Sequence, residues 1–174
     1  PSFDISNEAF PFMGCANITV FGGLRARLFR ISFSGELAFE IAVPTRYGDA
    51  MMRRLMKEGE EFDVTPYGTE ALGVMRIEKG HATGNELNGT TTALNLGMGL
   101  MVSKKKDSIG STLSERVGMN PEDALKLVGF RPVNSKDPVP AGSHLMTKGD
   151  PVDAAHDQGY VTSACYSPNL GYSI

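Results

Sequence analysis

Two charged residues stand out by where they sit in the chain. Glu40 lies in FEIAV, where Phe39, Ile41 and Val43 alternate with Glu40 and Ala42. That period of two predicts a half-buried strand and puts the Glu40 carboxylate on the face opposite the apolar set. Arg76 lies in TEALGVMRIEK, which reads as a helix. A carboxylate in a partly apolar pocket suits a ligand with paired N–H donors, because it accepts two parallel hydrogen bonds at once. An aminopyrimidine ring is such a ligand. An arginine nearby can hold a carboxylate ionised or bind an anionic ligand oxygen. On composition alone, each residue reads first as a surface or structural charge.

Other chemistries have little support. His81, His144 and His156 are scattered in loops or strand edges and form no helical pair, so no metal site is expected. No GxGxxG opens a helix after a strand, and neither a nucleophile elbow nor a P-loop is present. The net charge of −3 provides no basic field for nucleic acid or an anionic membrane. Lys104-Lys105-Lys106 is ended at once by Asp107 and reads as a solvated loop. There is no apolar run of about 18 residues and no signal peptide, so no membrane partner is expected. Cys15 and Cys165 lack metal-ligand spacing and read as free thiols in a reducing cytoplasm.

The elements that must position Glu40 and Arg76 follow from local pattern. With 174 residues, 41% hydrophobic and 21% charged, the chain makes one large domain or two small ones with a true core. Residues 18–21 and 24–33 are expected as strands around a Gly22-Gly23 turn. Pro44 closes the strand over 39–43. Thr45 is expected to cap a helix that runs to Glu58 and ends at Gly59, with Met51, Met52 and Met56 as core filler. Residues 62–64 read as short and extended. A second helix starts near Pro66 and ends at Gly80. The Gly-, Asn- and Thr-rich residues 80–99 read as a long loop, a frequent form of binding element. A short helix capped by Asp107-Ser108 and closed by Gly118 is expected next. Residues 125–133, 143–147, 159–167 and 172–174 then read as short strands of a small β-barrel or sandwich. The fold class is therefore α+β, with a boundary near 102–107.

At this point the residues resemble a family. RISFSGELAFEIAVP is similar to the R-x-G-Y-T-G-E-x-G-F-E-[IL] signature of the glycine-cleavage T-proteins, folate-dependent aminomethyltransferases. ALGVMRIEKGHATGNELNGTTTALNLGMG resembles the L-R-x-E-x-G segment of that family and the loop after it. SKKKDSIGSTL resembles its K-x-D-F-I-G junction, and LVGF with GYVTSACYSPNLGYSI resembles its C-terminal barrel. The resemblance implies a T-protein-like folate-binding α/β domain over 1–103 and a truncated β-barrel-type domain over 104–174. It further implies folate-binding roles for Glu40, for Arg76 and for Phe33, which stands where the family has a tyrosine beside the pterin. Thr92-Ala93 replaces the Thr-Pro of many members. The family's catalytic aspartate is expected upstream of Pro1, so this piece is expected to be inactive alone.

PYGTEALGVMRIEKG, GNELNGTTT and VSKKKDSIG are most similar to the branch of alpha subunits of heterotetrameric sarcosine oxidases. That branch implies oxidative demethylation of sarcosine and transfer of the one-carbon unit to tetrahydrofolate. The products would be glycine, hydrogen peroxide and 5,10-methylenetetrahydrofolate. NAD and flavin would belong to parts of the complex outside these residues, and the partners would be the other subunits of the oxidase. Three alternatives stay open: a glycine-cleavage aminomethyltransferase, a dimethylglycine-dehydrogenase-like relative, and a non-catalytic folate-fold module serving as a subunit interface. Both ends of the chain read as cut, which fits an excised piece of a longer polypeptide.

Overall fold

The computed structural model describes residues 3–174. Contacts divide the chain into two compact units, Pro1–Met75 and Arg76–Ile174.

The first unit is built on a three-stranded antiparallel sheet in the order β1 (Cys15–Val20), β2 (Leu24–Phe29), β3 (Glu40–Ala42). Register follows the hydrophobic alternation. Ile18 faces buried Ala26, while Leu28, also buried, pairs with Ile41. The opposite face carries Asn17, Arg25, Arg27 and Glu40, all exposed. The β1–β2 turn needs left-handed backbone at Phe21 (φ 49°), Gly22 (φ 76°) and, further out, Gly23 (φ 152°). This places Phe21 in the turn, one residue past the strand that was expected to contain it. Strand β2 stops at Phe29, short of residue 33, because Arg30 turns back to the N-terminal segment. Its backbone N–H donates to the Gly14 carbonyl, and its carbonyl accepts from Met13, both at 2.9 Å. Its guanidinium donates to the Phe10 carbonyl and to Asn7 Oδ1 and lies 5.0 Å from the Phe39 ring centre. Phe10, buried, stacks on Phe39 at 6.4 Å and meets Phe3 edge-on at 5.2 Å.

Helix α1 (Gly48–Gly59) begins differently from expectation. Thr45 does not cap it: Thr45–Tyr47 form a 3₁₀ turn, and neither Pro44 nor Tyr47 supplies a side-chain cap. Pro44 already fixes its own φ at −55°, so the chain enters the helix through a tight turn without a polar cap. Of the three methionines, Met51 is buried but Met52 is half exposed. Gly59 is the last residue of α1, yet the backbone continues into a second 3₁₀ turn at Glu60–Phe62. The left-handed stop is Asp63 (φ 54°), so residues 62–64 are not an extended segment. Helix α2 (Thr69–Lys79) forms over the expected stretch but starts three residues beyond Pro66, which lies outside it, and Gly80 (φ 77°) closes it in the left-handed conformation that favours glycine.

Beyond α2, residues 80–98 form turns without helix or strand, as their composition predicts. A short helix α3 (Ser111–Ser114) follows, flanked by Gly110 with no side-chain cap in place of the expected Asp107-Ser108. Among the described residues, 125–133 form no strand. Val128 and Val133 are largely exposed there, and no neighbouring backbone pairs with them. Two antiparallel pairs do form: β4 (His144–Met146) with β5 (Asp157–Tyr160), and β6 (Tyr166–Ser167) with β7 (Tyr172–Ser173). The expected strand over 159–167 is thus split by a bend between Tyr160 and Tyr166.

Two glycines test the helix packing with the same substitution. A Cβ on Gly59 would lie 2.5 Å from Val64 Cγ1, whereas a Cβ on Gly73 meets nothing within 4 Å. Gly59→Ala is expected to destabilise by roughly 1–2 kcal/mol through overpacking. Gly73→Ala is expected to stabilise by about 0.5–1 kcal/mol by removing backbone entropy. Urea midpoints of the two variants should shift in opposite directions.

Candidate functional site

Helix α2 ends with a positive charge that the structure buries. The Arg76 side chain is 13% exposed and that of Glu86 only 3%. Arg76 Nη1 donates to Glu86 Oε2 at 3.3 Å and to the His81 carbonyl at 3.4 Å, and Nη2 donates to Ser163 Oγ at 2.6 Å. The Ser163 hydroxyl donates in turn to Glu86 Oε1 at 2.5 Å, and the Thr83 backbone N–H donates to Glu86 Oε2 at 2.8 Å. Both carboxylate oxygens are therefore satisfied, as a buried charge requires. The loop can do this because Thr83 begins a turn: its carbonyl accepts from the N–H groups of Glu86 and Leu87, which folds Glu86 back toward the helix end.

A second acidic group on α2 reaches the same stretch of chain. Ser167 is fully buried and its hydroxyl donates to Glu78 Oε1 at 2.5 Å. Asn169 Nδ2 donates to both Glu78 oxygens. Asn85 Nδ2 donates to the Thr162 carbonyl at 3.0 Å. Further along the loop, buried Thr92 joins Asn95 and Asn120. Asn95 Oδ1 accepts from the Thr92 N–H, and Asn95 Nδ2 donates to the Leu125 carbonyl. Among the described residues, no buried side-chain nitrogen or oxygen lacks a partner.

Electrostatics follow from this packing. Burial pushes the Glu86 carboxyl up, but the hydrogen bonds from Ser163, Thr83 and Thr162 and the Arg76 charge outweigh it, leaving the group below its ordinary value. Burial, reinforced by the Glu78 charge, pushes the Cys165 thiol up against a smaller pull from Arg76. Cys165 is consequently a poor nucleophile. Exposed His144 pairs with Asp157 across β4–β5 at 2.7 Å, and His156 pairs with Asp153 at 2.6 Å. Among the described residues, no group of three or more His, Cys, Asp or Glu is placed to hold a metal ion. Nor is any helix long and apolar enough to cross a membrane.

In the first unit, Glu40 pairs with Phe29 in the sheet register and its side chain is exposed, on the face opposite Ile41. Among the described residues its carboxylate has no hydrogen bond or ion pair. That open acceptor pair fits the aminopyrimidine edge of tetrahydrofolate, the cofactor implied by the resemblance. Phe33 is half-buried in the bend before β3, where the Ser32 hydroxyl accepts from the Gly35 N–H at 2.8 Å. Arg76 belongs to the second unit and has Glu86 as its carboxylate partner. Sequence reasoning passed over Glu86. It stands in a loop without periodicity, and its only outward signal was a lone acid among Gly, Asn and Thr.

The direction of the Glu86 shift fixes a pH dependence. A carboxyl that is more acidic in the folded state adds stability above its unfolded value near 4.5, and this is lost as pH falls through the folded value. Unfolding curves should therefore lose stability with acid below about pH 4.5 in the wild type, and less steeply in Glu86→Gln. Glu86→Ala, which leaves Arg76 buried without its counter-charge, is expected to cost roughly 3 kcal/mol at neutral pH.

Comparison with known proteins agrees with the motifs. The model of the GCVT N-terminal domain matches residues 1–106. A sarcosine oxidase subunit alpha of Rhizobium meliloti is 46% identical over 98% of this chain, which spans 18% of that protein. A second, from Corynebacterium sp. (strain U-96), is 42% identical over 98% of the chain and 18% of its own length. An aminomethyltransferase of Caldanaerobacter subterraneus is 29% identical over 87% of the chain and 39% of its own length. The chain thus spans less than a fifth of the alpha subunits it resembles. With the family model covering more than half of its residues, the chain belongs to the GCVT N-terminal domain family.

Proposed function

We propose that this chain is the folate-binding part of a sarcosine oxidase alpha subunit. It holds tetrahydrofolate while the one-carbon unit of oxidised sarcosine is passed to it. The observation that carries this reading is Glu40, an exposed strand carboxylate without a partner among the described residues; the family resemblance implies that it takes the place of the pterin-binding glutamate. Similarity to two alpha subunits over nearly the whole chain supports the choice of oxidase. Tetrahydrofolate, when bound, supplies the amine nitrogens that accept the one-carbon unit as 5,10-methylenetetrahydrofolate. Glu40 accepts the paired N–H donors of the pterin and so fixes its orientation. Phe33 offers a ring for stacking without the hydroxyl of the family's tyrosine. Arg76 offers N–H donors from a guanidinium whose charge is already balanced by Glu86.

The same reading assigns residues 1–103 to the folate-binding part and 104–174 to the barrel-type part, with β4–β5 and β6–β7 among its antiparallel pairs. Flavin and NAD belong to other parts of the complex, and the partners are the other oxidase subunits. An arrangement without flavin, as in the aminomethyltransferase relatives, is the second reading. It draws on the 29% identity over most of the chain.

Two measurements on the whole parent assembly check this. With sarcosine, peroxide should be released with and without tetrahydrofolate, and formaldehyde should give way to methylenetetrahydrofolate when folate is present. Absence of peroxide moves the chain to the aminomethyltransferase reading. Glu40→Gln should weaken tetrahydrofolate binding by roughly 1.5–3 kcal/mol, the loss typical of a charged hydrogen bond. Unchanged affinity in a titration removes Glu40 from the site.

A further inference from the structure

We infer that Glu86 is the positioning residue of Arg76: it sets the orientation and cancels the net charge with which the Arg76 guanidinium meets its ligand. The inference rests on the folate reading above and adds to it a residue outside the motif positions that led to Glu40, Arg76 and Phe33.

Three of the five guanidinium donors of Arg76 are engaged within the fold. Both Nη1 hydrogens are engaged, by Glu86 Oε2 and the His81 carbonyl, and one Nη2 hydrogen is engaged by Ser163. A guanidinium carries five N–H donors in a rigid plane. Among the described residues, the Nε–H and one Nη2–H have no partner. Because the plane is rigid, fixing three donors fixes the direction of the other two. Glu86 is itself immobilised, held by the Thr83 N–H and the Ser163 hydroxyl at a site where its side chain is 3% exposed. A ligand reaching the two free donors meets an arginine that needs no reorganisation. It also meets a pair with no net charge, so the pair favours an uncharged carbonyl oxygen over a carboxylate. That differs from the anionic ligand oxygen expected from the arginine alone.

The test uses the whole parent protein in its assembled complex, with tetrahydrofolate as the titrant and melting temperature as a parallel readout. Glu86→Gln keeps the side-chain shape and removes the charge. It should lower tetrahydrofolate affinity about tenfold while the complex still melts cooperatively. A double-mutant cycle with Arg76→Met separates positioning from general support. If Glu86 acts through Arg76, Glu86→Gln causes no further loss of affinity once Arg76 is methionine. Should Arg76→Met fail to fold, Arg76→Lys serves in the same cycle, since it keeps a cation beside Glu86 but loses the planar fork. Additive losses, or no loss in Glu86→Gln alone, overturn the inference while leaving Arg76 at the ligand. Unchanged affinity in the Arg76 variants overturns it together with the folate role of Arg76. Glu86→Asp, which restores the charge on a shorter stem, should recover part of the affinity that Glu86→Gln loses.

Discussion

The second unit depends on one electrostatic constraint: a buried guanidinium at the end of α2 must be neutralised by a carboxylate that is itself fully hydrogen-bonded. Removing an arginine from water costs several kcal/mol, and a single carboxylate repays this only if its own remaining lone pairs are filled. Here they are filled from two directions, by the Thr83 N–H in the loop and by the Ser163 hydroxyl. The loop turn at Thr83, the course of residues 161–165 and the end of α2 are thereby mutually dependent. Glu78 repeats the arrangement nearby with Ser167 and Asn169. Short polar residues supply these contacts, which is why a stretch rich in Asn, Thr and Ser is ordered here without regular secondary structure.

The first unit obeys a different constraint. Its geometry comes from aromatic packing around Arg30 and from the two faces of a small sheet. Arg30 turns the chain at the end of β2 by binding the carbonyl of Phe10 and lying over Phe39. That turn sets where β3 begins. The β2–β3 register then puts Ile41 beside Leu28 and turns Glu40 outward. A slip of one residue would bury the carboxylate and expose the isoleucine, so apolar packing on one face determines what the other face can offer a ligand.

Legibility in the sequence followed the range of the interactions. Strand β3 and the side on which Glu40 stands could be read from alternation over five residues. Helix α2 and its Gly80 stop could be read from apolar spacing and one glycine. Glu86 could not, because its partner Ser163 lies 77 positions away and no local pattern encodes such a pairing. The strand expected over 125–133 failed for the reverse reason. Its β-branched and aromatic residues have the right propensity, but a strand needs a ladder to a neighbour, and the Leu127 N–H bond to the Asn95 carbonyl is not extended into one among the described residues. Thr45 was misjudged as a cap because Pro44 admits a 3₁₀ turn that propensity alone does not separate from a capped helix start.

The bonds that tie α2 to the C-terminal stretch also bear on how quickly the second unit can assemble. The Arg76–Glu86 pair spans 10 positions, whereas Arg76–Ser163, Glu78–Ser167 and Glu78–Asn169 span 87, 89 and 91. Closing the larger loops costs entropy that grows with the logarithm of their length, and this cost falls before any of the three contacts is made. The short-range pair can form as soon as α2 and its loop exist, at a time when Glu86 is still half satisfied. Ser163 completes it afterwards, while Ser167 and Asn169 close on Glu78. Loop-closure entropy thus favours an order in which the local Arg76–Glu86 pair precedes the remote hydroxyl of Ser163 and the contacts of Ser167 and Asn169 with Glu78.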